Sequence, residues 1–173
     1  MKKILICLLV LGLFIGISRV ASAAVQQGDT TLTFSASLYN DIYDGEDTAY
    51  WAFKGDITLG RFLTNNFQIE GDLGGIWREY GSWSAYYVYL LIRPNFHFST
   101  ESATVPYIGA SGGLAVYGST GSEDVYEVLY GAQAGIKQFI RDNVFLQIEG
   151  AYLRYTEEKT DEFSISLGLG FKL

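Results

Sequence analysis

From residue 30 to the C-terminus, apolar side chains alternate one for one with polar or small ones, and this period of two limits the fold more than any other feature of the chain. Successive side chains of a β-strand point to opposite faces, so strict alternation makes a strand with one apolar and one polar face. In TLTFSASLY, Leu32, Phe34, Ala36 and Leu38 share one face, while Thr31, Thr33, Ser35, Ser37 and Tyr39 share the other. The last segment does the same, with Phe163, Ile165, Leu167, Leu169, Phe171 and Leu173 set against Ser164, Ser166, Gly168, Gly170 and Lys172. Between these two, the pattern predicts strands near 49–61, 67–77, 84–97, 105–117, 125–138 and 144–155, eight in all. Outside the N-terminus no helical stretch is expected, because glycine, β-branched and aromatic residues recur too often for a 3.6-residue period.

The tetrapeptide QIEG occurs twice, at 68–71 and 147–150. Similar turn residues precede both copies: Phe62, Leu63, Asn65 and Asn66 before the first, and Phe139, Ile140, Asp142 and Asn143 before the second. The second copy has two extra residues, Val144 and Phe145, and a shift of two keeps a period-2 pattern in phase. The repeat therefore reads as turn plus strand, marking the third and seventh strands, half a closed sheet apart.

The N-terminus is of another kind. Lys2 and Lys3, an apolar run from Ile4 to Ile17, and Ala21, Ser22 and Ala23 as small residues at a cleavage site make 1–23 a secretory signal peptide and leave 24–173 as one domain. The run is too short for a spanning helix, which needs about 20 apolar residues. Cys7, the only cysteine, sits in this segment, so the mature chain is expected to carry no disulfide and no lipid-attachment cysteine. Removing 1–23 takes away three bases and no acid and moves the net charge from −7 to −10, which opposes nucleic-acid binding.

Eight antiparallel strands can close in two ways. A soluble lipocalin-like barrel turns its apolar face inward, whereas an outer-membrane barrel turns it to lipid. The alternation places Lys54, Asp56, Gln68, Glu70, Asp72, Arg93, Gln133, Lys137, Gln147 and Glu149 opposite the apolar set. A barrel carrying Trp51, Phe53, Ile57 and Leu59 on a wet exterior would aggregate. We therefore expect an all-β, eight-stranded, antiparallel up-and-down transmembrane barrel. Its lumen is predicted to be filled by a paired cluster of Lys54, Asp56, Glu70, Asp72, Arg93, Lys137 and Glu149, four acids and three bases. Counting from the turns puts Arg93 near Gln68 and Glu70, and Glu149 across from Gln133.

The connections 62–66, 99–104 and 139–143 read as short turns, and 40–48, 78–84, 118–124 and 156–161 as longer or more acidic loops, the latter expected outside with both termini periplasmic. Aromatics gather at both ends: Tyr39, Tyr43, Tyr50, Trp51, Trp77, Tyr80, Trp83, Tyr86 and Tyr117 by the loops, and Phe62, Phe67, Phe96, Phe98, Tyr107, Phe139, Phe145 and Phe171 by the turns. These are expected to form two interfacial girdles.

The stretches VPYIGASGGLAVY at 105–117 and YGAQAGIKQFIRDNVFLQIEGAYLRY at 130–155 resemble the small outer-membrane β-barrel superfamily of OmpX-like, opacity-like and OmpA transmembrane-domain barrels. The likeness extends over the mature chain. It implies a monomeric barrel in contact with outer-membrane lipid and lipopolysaccharide, delivered by periplasmic chaperones and the barrel-assembly machinery. Such barrels include adhesins, stability proteins and small pores, so the resemblance speaks to architecture rather than activity. The family usually ends in Phe or Trp, whereas this chain ends in Leu173 with Phe171 two positions before.

Three groups of residues invite a chemical reading. His97 and Ser99 in FHFST resemble the His-x-Ser pair of barrel lipases that deacylate lipopolysaccharide, but no acid lies on the following strand to orient the base, and His97 reads instead as a lone interfacial histidine. Glu70 and Asp72 share a face and could do acid–base work, although Arg93 and Lys137 favour a structural ion-pair cluster. Asp41, Asp44, Glu46, Asp47, Glu123, Asp124, Glu157, Glu158 and Asp161 could recruit divalent cations, yet no ligand spacing appears and solvated loops suffice. The expectation is a non-enzymatic barrel, without cofactor or metal, that anchors surface loops for adhesion or supports the envelope; a small passive pore is the alternative.

Overall fold

The computed structural model describes residues 25–42, 50–80, 83–157 and 160–173. The segment 1–23, expected to be a signal peptide, and the loop acids Asp44, Glu46, Asp47 and Glu158 lie outside the described residues, as do Tyr43 and the side chains of Asp41, Tyr50, Trp51, Trp77, Tyr80 and Trp83. Eight strands follow one another: β1 (Thr30–Ile42), β2 (Tyr50–Phe62), β3 (Phe67–Tyr80), β4 (Trp83–His97), β5 (Thr104–Ser119), β6 (Val125–Arg141), β7 (Val144–Tyr155) and β8 (Asp161–Lys172). Each pairs antiparallel with its neighbour in sequence, and β1 pairs with β8 from Thr31–Lys172 to Ile42–Asp161, closing the barrel in meander order. Closure pairs the first strand with the last, so neither is left as a sheet edge, the condition that lets strands cross a bilayer.

The two faces separate as the alternation requires. Outside are Phe34, Phe53, Ile57, Leu73, Leu90, Ile92, Leu114, Ile165 and Leu167, each about half exposed or more, while Lys54, Asp56, Glu70, Arg93, Lys137 and Glu149 are buried inside. An apolar exterior around a charged interior is the arrangement of a transmembrane barrel and the inverse of a soluble one.

The lumen is layered along its length. Val25, Phe62, Val105, Phe139 and Phe145 pack into an apolar plug at the 63–66 turn end. The segment before β1 completes it: the Val25 amide donates to the Thr100 carbonyl at 3.0 Å and the Gly28 amide to the Phe62 carbonyl at 2.9 Å. A second apolar layer of Tyr89, Leu91, Ala115, Leu129, Leu153 and Tyr155 lies toward the other end. The charged cluster occupies the space between. Inward glycines make that space: a methyl at Gly109 would meet the Asn95 side chain and come within 2.7 Å of the Gln133 amide nitrogen, and one at Gly74 would strike Asp56 and Tyr89.

Three expectations need correction. Phe62, Tyr107, Phe139 and Phe145 are not girdle residues but sit inside the barrel, and Tyr39 is buried there too, whereas Phe96 and Phe98 face outward as a girdle requires. Their parity decides this: Phe62 is in step with Lys54 and Asp56, Phe139 with Lys137, and Phe145 with Gln147 and Glu149. The second correction concerns the loops. β3 and β4 run to within residues 81–82 of one another, so this connection is shorter than the 98–103 connection at the turn end, and length alone does not separate the two ends. The third concerns register. The β6–β7 connection shrinks to Asp142–Asn143 with an irregularity between Phe139 and Arg141, so Glu149 opposes Gly135 and Gln133 opposes Ala151. Moving a turn centre by one residue slides the register by two, which keeps Glu149 on the inner face while changing its neighbour.

The wall is not uniform. The β2–β3 ladder ends at Gly55–Gly75, although β1 and β2 stay paired as far as Asp41–Tyr50 and β3 and β4 as far as Tyr80–Trp83.

Candidate functional site

The central cluster is built from the repeated tetrapeptide outward. In both copies the Gln and Glu point inward: Gln68 and Glu70 from β3, Gln147 and Glu149 from β7. Each glutamate takes a cation from three strands away. Glu70 pairs with Lys137 of β6 at 2.8 Å, and Glu149 pairs with Arg93 of β4. Lys137 also donates to the Gln68 amide oxygen at 2.7 Å, and the guanidinium of Arg93 reaches Asp72 at 3.1 Å as well. Although Glu70 and Arg93 are cross-strand neighbours, the arginine turns to Asp72 and Glu149 while the lysine takes Glu70.

Neutral donors complete the shell. Thr58 donates to Asp72 at 3.0 Å, Asn95 to Glu70 at 2.7 Å, Tyr107 to Glu149 at 2.6 Å, and Gln133 to the Asn95 oxygen at 2.8 Å. Among the described residues Asp56 makes no direct ion pair; the hydroxyls of Ser37, at 2.9 Å, Ser35 and Tyr89 donate to it. Lys54 leaves Asp56 and pairs with Glu162 of β8. Charges removed from water persist only when matched in this way, and the matched groups cross-link strands all round the barrel.

Reading the sequence for charge parity missed Glu162 and Glu127, both buried on the inner face. The signal was present: Glu162 is in step with Ser164 and Ser166, and Glu127 with Leu129 and Gln133, but both fall at strand ends that the pattern assigned to, or beside, loops. With them the described lumen holds Asp56, Glu70, Asp72, Glu127, Glu149 and Glu162 against Lys54, Arg93 and Lys137.

His97 and Ser99 are not brought together. His97 is fully buried in the lumen, its ring 4.8 Å from that of Phe62 and 5.1 Å from that of Tyr107, with no hydrogen bond to either nitrogen among the described residues. Ser99 lies in the exposed turn at a positive φ of 50°. The histidine is therefore internal rather than interfacial, in step with Asn95 and Arg93. Glu70 and Asp72 are each engaged by a base, Lys137 and Arg93, the arrangement of a structural cluster. Among the described residues no group of three or more His, Cys, Asp or Glu is placed to hold a metal ion.

Free space is uneven along the axis. Between Asp56, Arg93 and Glu149 the lumen leaves about 30 Å³, room for about two water molecules. Beyond the upper apolar layer it widens into a cavity of about 520 Å³ whose walls include Tyr39, Tyr87, Tyr117 and Tyr155, with Glu127 and Glu162 in its lining. Its floor is a chain of contacts: Tyr87 meets the Tyr155 hydroxyl at 2.7 Å, Tyr155 donates to Glu162 at 2.9 Å, and Glu162 holds Lys54. Its rim is pinned, since Tyr86 donates to Asp124 at 2.5 Å, the Ser84 amide to Thr120 at 2.9 Å, and the Glu157 amide to Glu127 at 2.8 Å.

No protein-family model and no curated protein sequence matches the chain. Solved structures do. Neisserial surface protein A (NspA) superposes with a TM-score of 0.69 at 17% identity, covering 83% of this chain and 97% of that one. OprG of Pseudomonas aeruginosa gives 0.62 at 10% identity over 87% and 98%. The chain has the fold of the small eight-stranded outer-membrane barrels. Ail, the attachment invasion locus protein of Yersinia pestis, shares it at a TM-score of 0.56 and 15% identity over 85% and 99%. At such identities what is held in common is the barrel, not the residues that fill this one.

Proposed function

We propose that the protein is a non-enzymatic outer-membrane barrel with a closed lumen, and that its activity resides at the wide, loop-bearing end rather than in conduction. The observation that carries this reading is that buried side chains fill the lumen at three successive levels: the plug around Phe62, Phe139 and Phe145, the Arg93 and Lys137 ion pairs, and the layer around Leu91 and Leu129. An eight-stranded barrel is only wide enough for its own side chains, and here they meet. In this reading the lipid-facing band anchors the barrel, the β1–β2, β5–β6 and β7–β8 connections present an interaction surface, and outer-membrane lipid and lipopolysaccharide surround it. The fold tolerates such a use, since one protein that shares it, Ail, is named for attachment and invasion. Planar-bilayer recording of the purified, folded protein tests the reading. We expect a silent membrane; steady ion-conducting openings would instead make the protein a pore.

A further inference from the structure

We propose that residues 25–29 are a releasable strap across the turn-end mouth of the barrel, one that lifts away without unfolding the wall and so admits water to the layer around His97. The inference rests on the closed-lumen reading and deepens it, because it names the part of the closure that gives way. The strap lies outside the ladders that hold β1, which begin at Thr30–Arg61 with β2 and at Thr31–Lys172 with β8. Its backbone turns at Gly28, at a φ of 94° that residues with side chains rarely adopt. Beyond that turn Val25 enters the plug with Phe62, Val105, Phe139 and Phe145, its amide bonded to the Thr100 carbonyl at 3.0 Å.

Two features make this segment the one that opens first. Val25 is its one buried side chain, whereas Gln26, Gln27 and Gly28 are exposed. Its bonds from the Gln27 amide to the Asn65 side-chain oxygen, at 2.9 Å, and from the Gln26 amide to the Asp29 carboxylate, at 3.0 Å, are exposed as well. Segments with few buried apolar contacts and exposed hydrogen bonds open locally at the lowest free energy. The second feature lies beneath the strap. His97 is fully buried against Phe62, a member of the same plug, with the ring centres 4.8 Å apart, and neither of its nitrogens is hydrogen-bonded among the described residues. A buried donor and acceptor left unmet favour hydration, so the histidine pulls toward an open mouth and the strap holds it shut.

Carbethoxylation by diethyl pyrocarbonate tests the proposal, since His97 is the chain's only histidine and the absorbance of the modified imidazole reads it alone. The reagent is applied to residues 24–173 folded in lipid nanodiscs, and His97 of the wild type should react far more slowly than in the unfolded chain. Gly28→Val, and Val25→Asp, which puts a charge in the plug, should each speed that reaction about tenfold or more while the heat-modifiable folded gel band persists. Gly121→Val is the matched control. Gly121 also has a positive φ, 86°, and an added Cβ meets nothing within 4 Å at either glycine, but it lies at the loop end and its substitution should leave His97 protected. Wild-type reaction at the unfolded rate, no acceleration in either strap variant, equal acceleration by Gly121→Val, or loss of the folded band in both strap variants would each overturn the proposal. Recording the wild type in a planar bilayer separates the two readings. A conducting barrel whose His97 stays protected until the strap is altered would overturn the closed lumen and keep the strap, and a silent barrel whose His97 reacts at the unfolded rate would do the reverse.

Discussion

Arg93 shows what a single residue does in this interior. Its guanidinium serves two carboxylates, Asp72 and Glu149, from different strands, in a lumen where the described buried acids outnumber the bases. Removing it leaves two buried carboxylates without a cation, and breaking a buried pair in this way costs about 3 to 5 kcal/mol. Arg93→Ala should therefore lower the temperature at which the folded gel band is lost, and Arg141→Ala, in the exposed turn region, should leave it in place. Equal melting of the two variants would show that the cluster contributes nothing to stability. At this scale the sequence was partly legible. Parity alone put Arg93, Glu70 and Lys137 on one face, but which acid meets which base depends on side-chain reach across the lumen, and Arg93 passes over its ladder neighbour Glu70 for Asp72 and Glu149.

At the scale of the strand, one face must match lipid and the other its own lumen. Leu90 of β4 opposes Leu73 of β3 and Leu114 of β5, all exposed on the outer face, and Ala132 of β6 is exposed on the same side. An arginine at the bilayer midplane costs a barrel about 2 to 4 kcal/mol. Leu90→Arg and Ala132→Arg should each destabilise the barrel by about that much in denaturant titrations in bilayers, against little change for Glu101→Arg in an exposed turn. Arginine tolerated equally at all three positions would place the outer face in water. Strand existence and face were readable because period two survives any small error in the ends. Strand ends were not. The pattern stops β3 at 77 and starts β8 at 163, whereas the ladders run to Tyr80 and back to Asp161, because hydrogen bonding carries the backbone on after the apolar alternation has faded.

For the molecule as a whole, an even number of strands puts the start of β1, the end of β8 and the 63–66, 98–103 and 142–143 connections at one end, and the other connections with the cavity at the other. In the orientation we propose, the second end faces outward. Single cysteines at Glu123 and Glu157 should react with an impermeant maleimide on whole cells, and those at Glu101 and Asp142 should not; the four sites are exposed, and the chain's own Cys7 lies in the segment 1–23 expected to be a signal peptide. The opposite labelling pattern would invert the barrel. The sequence by itself determined the class of object: period two over this length, with charge on one face and apolar side chains on the other, leaves a closed antiparallel barrel with an apolar exterior, because every backbone group must find a partner and each face must match its surroundings. It also placed the repeated QIEG on facing parts of the wall. Only closure decided the rest. Once β1 met β8, Phe62, Phe139 and Phe145 became an internal plug instead of a girdle, Glu162 came within reach of Lys54, and tyrosines from four strands met around one cavity. Each of these contacts joins residues far apart in the chain, and their distance is a property of the barrel's circumference and stagger, which no local pattern encodes.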